Sequence, residues 1–270
     1  MKNVRRKEKK KLGFFSYTIM FLVYLFLYLP IIMVVIYSFN VNDSNIVFKG
    51  FTLEWYRHLF QGDQLIDYMI LTIELAVVST VISVVLGTLA TICMYRYDFR
   101  LKKFINNLLY IPIVIPELII GIASLAAFTL MGFSMGFATL VFAHVTFCVP
   151  FVIITLRARI ADFDRSIEEA AMDLGANQWR TLKRVTLPML VPGIVSGAFL
   201  SITLSVDDVI ISYFVCGAGQ ITFPIKVYGM VRGKISTDVY ALSSLVVFVI
   251  VFSYLMYLLV KKVFLRKREA

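Results

Sequence analysis

The chain has 270 residues, of which 60% are hydrophobic and only 16% are charged, and its mean hydropathy is +0.84. A soluble domain of this length would be about half apolar and about a quarter charged. The composition therefore excludes an ordinary soluble domain and favours one integral membrane unit. The net charge of +10 does not indicate nucleic-acid binding, because the basic residues cluster at the ends of apolar runs.

Six apolar stretches are long enough to cross a hydrocarbon core of about 30 Å, which needs about 20 residues. The sequence thus predicts an all-α integral membrane protein with six transmembrane helices. We expect these helices near residues 14–39, 68–95, 105–130, 137–156, 189–216 and 241–260. The first follows a basic run that resembles the start of a signal peptide. Its apolar run is too long for a signal peptide and lacks a clear cleavage site, so we expect a retained span.

Positive charge predicts the orientation of these helices. Twenty-two of the 27 Lys and Arg residues fall in four segments that alternate with the spans. The segments are the tail at 1–13, the connection at 96–103, the insert at 157–188 and the tail at 261–270. The positive-inside rule places all four in the cytoplasm, so both termini are expected there.

Small residues recur every four positions in the second and fifth spans, a pattern that predicts close helix packing. The two sets are Ser79, Ser83, Gly87 and Thr91, and Gly193, Gly197, Ser201 and Ser205.

The insert at 157–188 has the pattern of two short amphipathic helices. Ser166 and Glu169 have the spacing of a capping box, and apolar residues follow at helical intervals up to Leu174. Gly175 is expected to end this helix in a left-handed conformation. A second short helix is expected around Trp179, closed by Pro188.

The first helix of the insert is acidic, with Glu168, Glu169 and Asp173. An anionic lipid surface would repel these side chains, so a protein partner is favoured over a helix lying on the membrane.

One gapped motif runs through this insert. Glu169-Ala170-Ala171, three residues, Gly175, nine residues and then Val185-Thr186-Leu187-Pro188 match the pattern EAA-x3-G-x9-I-x-L-P, with Val185 as the single departure. The chain therefore resembles the permease subunits of ATP-binding-cassette importers, and the resemblance implies a type I (MetI-like) permease fold. It also implies that the insert is a coupling helix seated on an ATPase subunit. The coupling residues it implies are Glu168, Glu169, Ala170, Ala171, Asp173, Leu174, Gly175, Ala176, Leu187 and Pro188.

Three further segments resemble the polyamine permeases of that family, which carry spermidine and putrescine. They are Gly50–Tyr56, Ala143–Ile160 and Leu204–Gly217. The resemblance implies a bacterial plasma (inner) membrane protein that works with a second homologous permease subunit, two ATPase subunits and an extracytoplasmic binding protein. It also implies that Trp55 and Tyr56 contribute to docking of the binding protein. The implied mechanism is alternating access, in which ATP binding and hydrolysis drive the coupling helix.

Four acidic residues within or near the spans are candidates for the substrate pathway. An ionised carboxylate at the centre of a membrane helix costs roughly 2.5–3.5 kcal/mol on insertion scales, so such residues usually have a function. The candidates are Glu117, Asp207, Asp208 and Glu74. Carboxylates along a cavity suit an extended polycation. Other interpretations stay open. Asp208 reaches water outside the membrane, and Glu117 either pairs with a partner subunit or satisfies backbone groups at a kink.

No catalytic or nucleotide-binding motif is visible. The segment from Gly229 to Ile235 has three residues between its glycines and no Ser or Thr after Lys234, so it is not a P-loop. We therefore expect no cofactor in this chain, with ATP and Mg²⁺ held by the partner ATPase. We expect no metal site either, since His144 and Cys148 alone share a helix face and buried packing explains them better.

Two other functions are compatible with parts of this pattern. The first is an importer of another solute, such as ferric iron or an oxyanion, although the intramembrane acids disfavour an anion. The second is an ion-coupled secondary carrier. Such carriers often show inverted repeats, whereas this sequence shows no convincing internal repeat, and a carrier would leave the cytoplasmic helix pair unexplained.

Overall fold

The computed structural model describes residues 14–42, 47–62, 64–161, 163–231, 233 and 235–269. The basic tail expected at 1–13 lies outside these residues. Regular secondary structure in the described residues is helical, apart from one isolated antiparallel bridge between Asn40 and Phe51. In chain order the helices are α1 (Phe14–Tyr37), α2 (Glu54–Phe60), α3 (Gln64–Arg96), α4 (Lys102–Leu108), α5 (Ile111–Val114), α6 (Glu117–Leu130), α7 (Phe137–Ala161), α8 (Ser166–Asp173), α9 (Gln178–Thr181), α10 (Leu187–Val206), α11 (Ile210–Val215), α12 (Phe223–Val231) and α13 (Thr237–Glu269), with a π-helical turn at Leu182–Thr186.

Within the described residues, five helices are long and apolar enough to cross a membrane, and a bent pair raises the number to six. Helices are expected here because the hydrocarbon core offers no water to backbone N–H and C=O groups. The prediction of an all-α membrane protein is thus confirmed. The orientation of the termini stays a prediction.

The third expected span, 105–130, is not one helix. The segments Lys102–Val114 and Glu117–Leu130 meet at an angle of 112°. Pro116 lies at the bend, where it has no N–H to donate and excludes Ile115 from the helical region; Ile115 has an extended backbone with ψ of 134°. Glu117 therefore begins a new helix and does not lie in the middle of a continuous one.

The fifth expected span, 189–216, also differs from a single helix. It stops at Val206 and resumes as α11 at Ile210. At its other end, the helix begins at Gln178 and passes through the π-helical turn, so the expected second helix of the insert is continuous with the span. Pro188 does not end a helix. It lies in the first turn of α10, directly after the π-helical turn.

The described chain divides into two compact units, each of which we describe by itself. The first falls within Met1–Ile66 and Lys234–Ala270. In this unit, α13 packs against α1 and α2. Its helix α13 continues past the expected end of the span at residue 260 and reaches Glu269.

The second unit, Asp67–Gly233, is built around α7. Leu140, Cys148 and Leu156 of this helix are completely buried. Helix α10 packs on α7 with the small-residue face expected from the sequence, since Gly193, Gly197, Ser201 and Ser205 are all buried. The small face of α3 is buried as well; a Cβ atom on Gly87 would lie 2.7 Å from Cγ1 of Val152. Close backbone approach thus holds this unit together.

Candidate functional site

The helix at the centre of the insert, α8, begins without the expected capping box. Its N-cap residue is Arg165, and no side chain caps it. Instead, Oδ1 of Asp164 accepts the backbone N–H of Ser166 at 2.9 Å. The hydrogen bonds from Ser166 stabilise the carboxylate and lower the pKa of Asp164 from its ordinary value of 3.8. Asp164, which the motif does not include, therefore initiates this helix.

The end of α8 matches the prediction. Gly175 has a φ of +88°, in the left-handed region. The N–H of Gly175 donates to the carbonyl of Met172 at 2.9 Å, and the N–H of Ala176 donates to the carbonyl of Ala171 at 3.1 Å. These two bonds form a Schellman motif, which satisfies the last carbonyls of the helix. The chain then turns sharply into Asn177, whose Oδ1 accepts the N–H of Arg180 at 2.9 Å to cap α9.

The apolar stripe of the insert is not buried by the described residues. Leu174 is 90% exposed and Trp179 is 70% exposed, and Ile167 and Met172 are exposed too. An ordered element with several exposed large apolar side chains is typical of a surface that contacts another protein or a membrane. Among the other expected coupling residues, Ala170, Asp173, Leu187 and Pro188 are exposed, and Ala171 and Ala176 are half-buried.

The two consecutive glutamates of the insert lie in different surroundings. Glu169 is exposed, whereas Glu168 is only 7% exposed. Oε1 of Glu168 lies 2.9 Å from Nη2 of Arg96, the last residue of α3, and it also accepts the hydroxyl of Thr186. Only Glu169 of the pair is free to contact another subunit directly.

A second contact joins the insert to the end of α3. The guanidinium carbon of Arg165 lies 5.0 Å from the centre of the Tyr95 ring, and Phe163 packs edge-on against the same ring. A cavity of about 220 Å³ is lined by Arg96, Arg165, Glu168 and Glu169 among others. The insert is therefore held as an ordered element on the end of α3.

Three of the four expected pathway acids come together at the breaks in the third and fifth spans. Glu117 is the first residue of α6 and is half-buried, and Asp207 caps the end of α10 and is exposed. Asp208 is buried. The charges of Asp208 and Asp207 both act on Glu117. Glu74 is exposed on α3 and does not join this group in the described contacts.

Asp208 is part of a buried polar network. Its carboxylate accepts the N–H of Ile211 at 3.2 Å and both the N–H and the hydroxyl of Ser212, at 2.7 and 2.6 Å. His144 completes the network, with Nε2 at 2.9 Å from the Ser212 hydroxyl and Nδ1 at 2.7 Å from the Ser205 hydroxyl. Both ring nitrogens of His144 are thus engaged by serines.

A cavity of about 710 Å³ is lined in part by chain neighbours of these acids. Leu118 and Val209, which directly follow Glu117 and Asp208 in the chain, contribute to its wall. Tyr213, Phe214 and Tyr228 supply three aromatic rings. Carboxylates next to aromatic rings attract organic cations by Coulomb and cation–π interactions.

The expected docking residues Trp55 and Tyr56 are anchored within the first unit. The indole N–H of Trp55 donates to the carbonyl of Asn40 at 2.7 Å. The hydroxyl of Tyr56 lies 2.7 Å from that of Ser38 and 2.5 Å from that of Ser244. Their polar atoms hold α2 in place, and contact with a binding protein stays a prediction for these residues.

A family model described as "Binding-protein-dependent transport system inner membrane component" matches residues 83–268, which is more than half of the chain. The chain belongs to this family. As a member it is a multi-pass inner-membrane component of a transport system.

Two curated relatives of this permease have similar lengths. The "Spermidine/putrescine transport system permease protein PotC" of Escherichia coli (strain K12) is 38% identical over 223 residues, covering 83% of this chain and 84% of that protein. The "Putrescine transport system permease protein PotI" of the same strain is 36% identical over 235 residues, covering 84% of each. The resemblance drawn from the motifs is confirmed.

A solved structure resembles the fold of this permease. It is the "Crystal structure of a bacterial ABC transporter involved in the import of the acidic polysaccharide alginate", with a TM-score of 0.68 and 15% identity, over 92% of this chain and 94% of that chain. At this identity the likeness shows the fold alone, and it confirms the predicted permease fold.

Sequence reasoning missed the residues that position the site. Arg96 counted only as one of the charges that fix orientation, and Thr186 was only a variable position within the motif. His144 was considered only as a packed residue or a metal ligand. The partners of Arg96 lie 72 and 90 residues away in the chain, so no local pattern reveals them.

Proposed function

We propose that this chain is the transmembrane permease subunit of an ATP-binding-cassette importer for polyamines. A separate ATPase subunit drives it through the insert, and an extracytoplasmic binding protein delivers spermidine or putrescine. A second permease subunit completes the pathway. The observation that carries this proposal is the insert itself, an ordered, capped element whose large apolar side chains find no partner among the described residues.

The ATPase fits the insert by its chemistry. Leu174 and Trp179 would enter an apolar groove, and the exposed carboxylate of Glu169 would pair with a basic residue at its edge. Buried aromatic and aliphatic anchors surrounded by polar contacts are the usual arrangement at specific interfaces. Motion of the ATPase would then move α8, which is tied to the end of α3.

Polyamine cargo is supported by the relatives and by the charge of the pathway. The two relatives are named for spermidine and putrescine transport. The aromatic cavity is lined by Leu118 and Val209, close in the chain to Glu117 and Asp207. We propose that these two carboxylates meet the ammonium groups of the substrate and that the rings of Tyr213 and Tyr228 cover its methylene chain. The charge of Asp208 would add to that of the other acids, while its oxygens accept hydrogen bonds from α11. For Glu74 we propose a weaker, peripheral role on α3.

Cargo is tested by uptake. The permease, reconstituted in proteoliposomes with its partner subunits and a binding protein, should accumulate labelled spermidine or putrescine when ATP is supplied to the ATPase side. Excess unlabelled polyamine should abolish the signal, and a partner ATPase with an inactive catalytic site should give none. Accumulation of another solute, such as iron or a phosphonate, that excess polyamine does not reduce would overturn the proposed cargo.

Docking is tested separately with a pair of matched variants. Leu174→Asp should remove most of the ATPase subunit from the purified complex, because it places a charge in an apolar contact. Leu130→Asp is the control, since Leu130 is 88% exposed but is the last residue of α6 and lies outside the insert's range of 157–188. Equal retention of the ATPase in both variants would contradict the proposed contact.

A further inference from the structure

We infer that Arg96, Glu168 and Thr186 form a positioning cluster that transmits the movement of the insert to the second and fifth spans. The inference rests on the proposed function, because it assumes that an ATPase moves the insert. It goes further by assigning a role to three residues, two of them outside the expected coupling set. It also gives the two consecutive glutamates different tasks.

The cluster joins three separate elements of the second unit. Arg96 is the last residue of α3, Glu168 lies in the first turn of α8, and Thr186 ends the π-helical turn that leads into α10. Nη2 of Arg96 donates to Glu168 Oε1 at 2.9 Å and to Thr186 Oγ1 at 3.0 Å. The Thr186 hydroxyl donates to the same Glu168 oxygen. A displacement of α8 therefore acts at once on the ends of two spans.

Burial makes this connection stiff. The side chains of Arg96 and Glu168 are only 18% and 9% exposed, and Thr186 is buried. Water screens an exposed ion pair strongly, but a buried pair with a shared hydrogen-bond partner loses much more when one member is removed. An exposed pair on the same part of the chain, Lys102 with Asp98, provides the contrast.

The position of the π-helical turn supports a transmitting role. It lies between α9 and α10, and it places Thr186 one residue before α10 begins. Single π-helical turns within α-helices are rare and are found frequently at functional sites. Here the hydroxyl of Thr186 fixes the end of that turn to Glu168 of α8. Movement of α8 would thus be passed to α10 and not absorbed at the turn.

The exposed Glu169 then contacts the ATPase, while Glu168 holds the insert to the membrane helices. Removal of the Glu169 charge should weaken retention of the ATPase. Removal of the Glu168 charge should leave retention unchanged and disconnect hydrolysis from transport. These different losses distinguish the two glutamates.

The test uses the complete reconstituted transporter and measures three quantities: retained ATPase, the rate of ATP hydrolysis, and substrate transported per ATP. Glu168→Gln keeps the shape and removes the charge. In this variant the transported substrate per ATP should fall about tenfold, within the range of coupling between linked sites, while hydrolysis and ATPase retention persist. Arg96→Lys, which loses the forked guanidinium, should also lower the amount of substrate transported per ATP. Asp98→Asn is the matched control and should match the unmodified complex.

A double variant that exchanges the two charges distinguishes a loss of coupling from simple misfolding. Either single reversal should lower the amount of substrate transported per ATP. Arg96→Glu combined with Glu168→Arg should recover part of that loss. An unchanged ratio in Glu168→Gln would overturn the inference, and so would a proportional loss of hydrolysis and uptake. Failure of both single reversals and the exchange to assemble would show a purely structural cluster and overturn it as well.

The proposed cargo is tested independently of this cluster. If the unmodified complex transports no polyamine, the proposed cargo fails. The coupling can then still be measured as stimulation of ATP hydrolysis by the binding protein loaded with whichever substrate it accepts. Loss of that stimulation in Glu168→Gln, with basal hydrolysis retained, is the result expected in that case.

Discussion

His144 and Asp208 lie 3.4 Å apart, measured between the imidazole Nε2 and the carboxylate Oδ2. The Ser212 hydroxyl donates to the same Oδ2, so it accepts from Nε2 of His144. The network joins α7 to the start of α11, directly beside the exposed Asp207. Adjacent aspartates thus differ in surroundings as the adjacent glutamates do.

This difference predicts separate effects for the two aspartates. Asp208→Ala leaves the N–H groups of Ile211 and Ser212 buried without their acceptor, and each such group costs about 1–3 kcal/mol. We expect a clear loss of thermal stability in detergent, measured by the fraction of permease that stays monodisperse after heating. Asp207→Ala should leave stability unchanged and raise the substrate concentration needed for half-maximal uptake. Equal stability of the two variants would contradict this assignment.

Gly175 gives a prediction with a control in the same chain. Gly175→Ala forces a side chain into the left-handed region, which costs about 1–2 kcal/mol, and should loosen the turn that presents Leu174. Gly219→Ala meets the same strain, since Gly219 has a φ of +78° and equally open space. We expect lower ATPase retention only for Gly175→Ala, with partial recovery in Gly175→Asn. Equal retention of the ATPase by the two alanine variants would argue against a role of the turn in docking.

Gly87 tests the packing of α3 on α7. A Cβ atom there would approach Cγ1 and Cβ of Val152 to 2.7 and 2.9 Å. Gly87→Ala should therefore lower the folded fraction after heating, and Val152→Ala in the same chain should restore part of it by making room. Gly229→Ala, a helical site with nothing within 4 Å, should be neutral. No rescue by the second substitution would contradict the close contact between these two helices.

Asp164 predicts a pH dependence at the start of α8. Its pKa is lowered in the folded chain, so its stabilising effect is complete above 3.8 and is lost as the pH falls through the lowered value. Amide exchange at Ser166, corrected for its intrinsic rate, should accelerate relative to its neighbours as the pH falls below 3.8. Asp164→Asn keeps a neutral acceptor and should lose this pH dependence. An equal acceleration in the variant would assign the effect to another group.

The sequence predicted the class of the protein and the end of α8 because both depend on local information. Length and hydropathy locate membrane helices, and Gly175 ends a helix where the motif places a glycine. The 112° bend at Pro116 was not predicted, because a proline is compatible with either a kink or a full break. The burial of Glu168 was not predicted either, because it depends on Arg96 and Thr186, which only the fold brings together.

The most direct test of the account is the energy source of uptake. Proteoliposomes that contain the complete transporter should accumulate polyamine when ATP is present on the ATPase side, and uptake should persist after ionophores collapse all ion gradients. Uptake that requires an ion gradient and proceeds without ATP would contradict the account and identify an ion-coupled carrier.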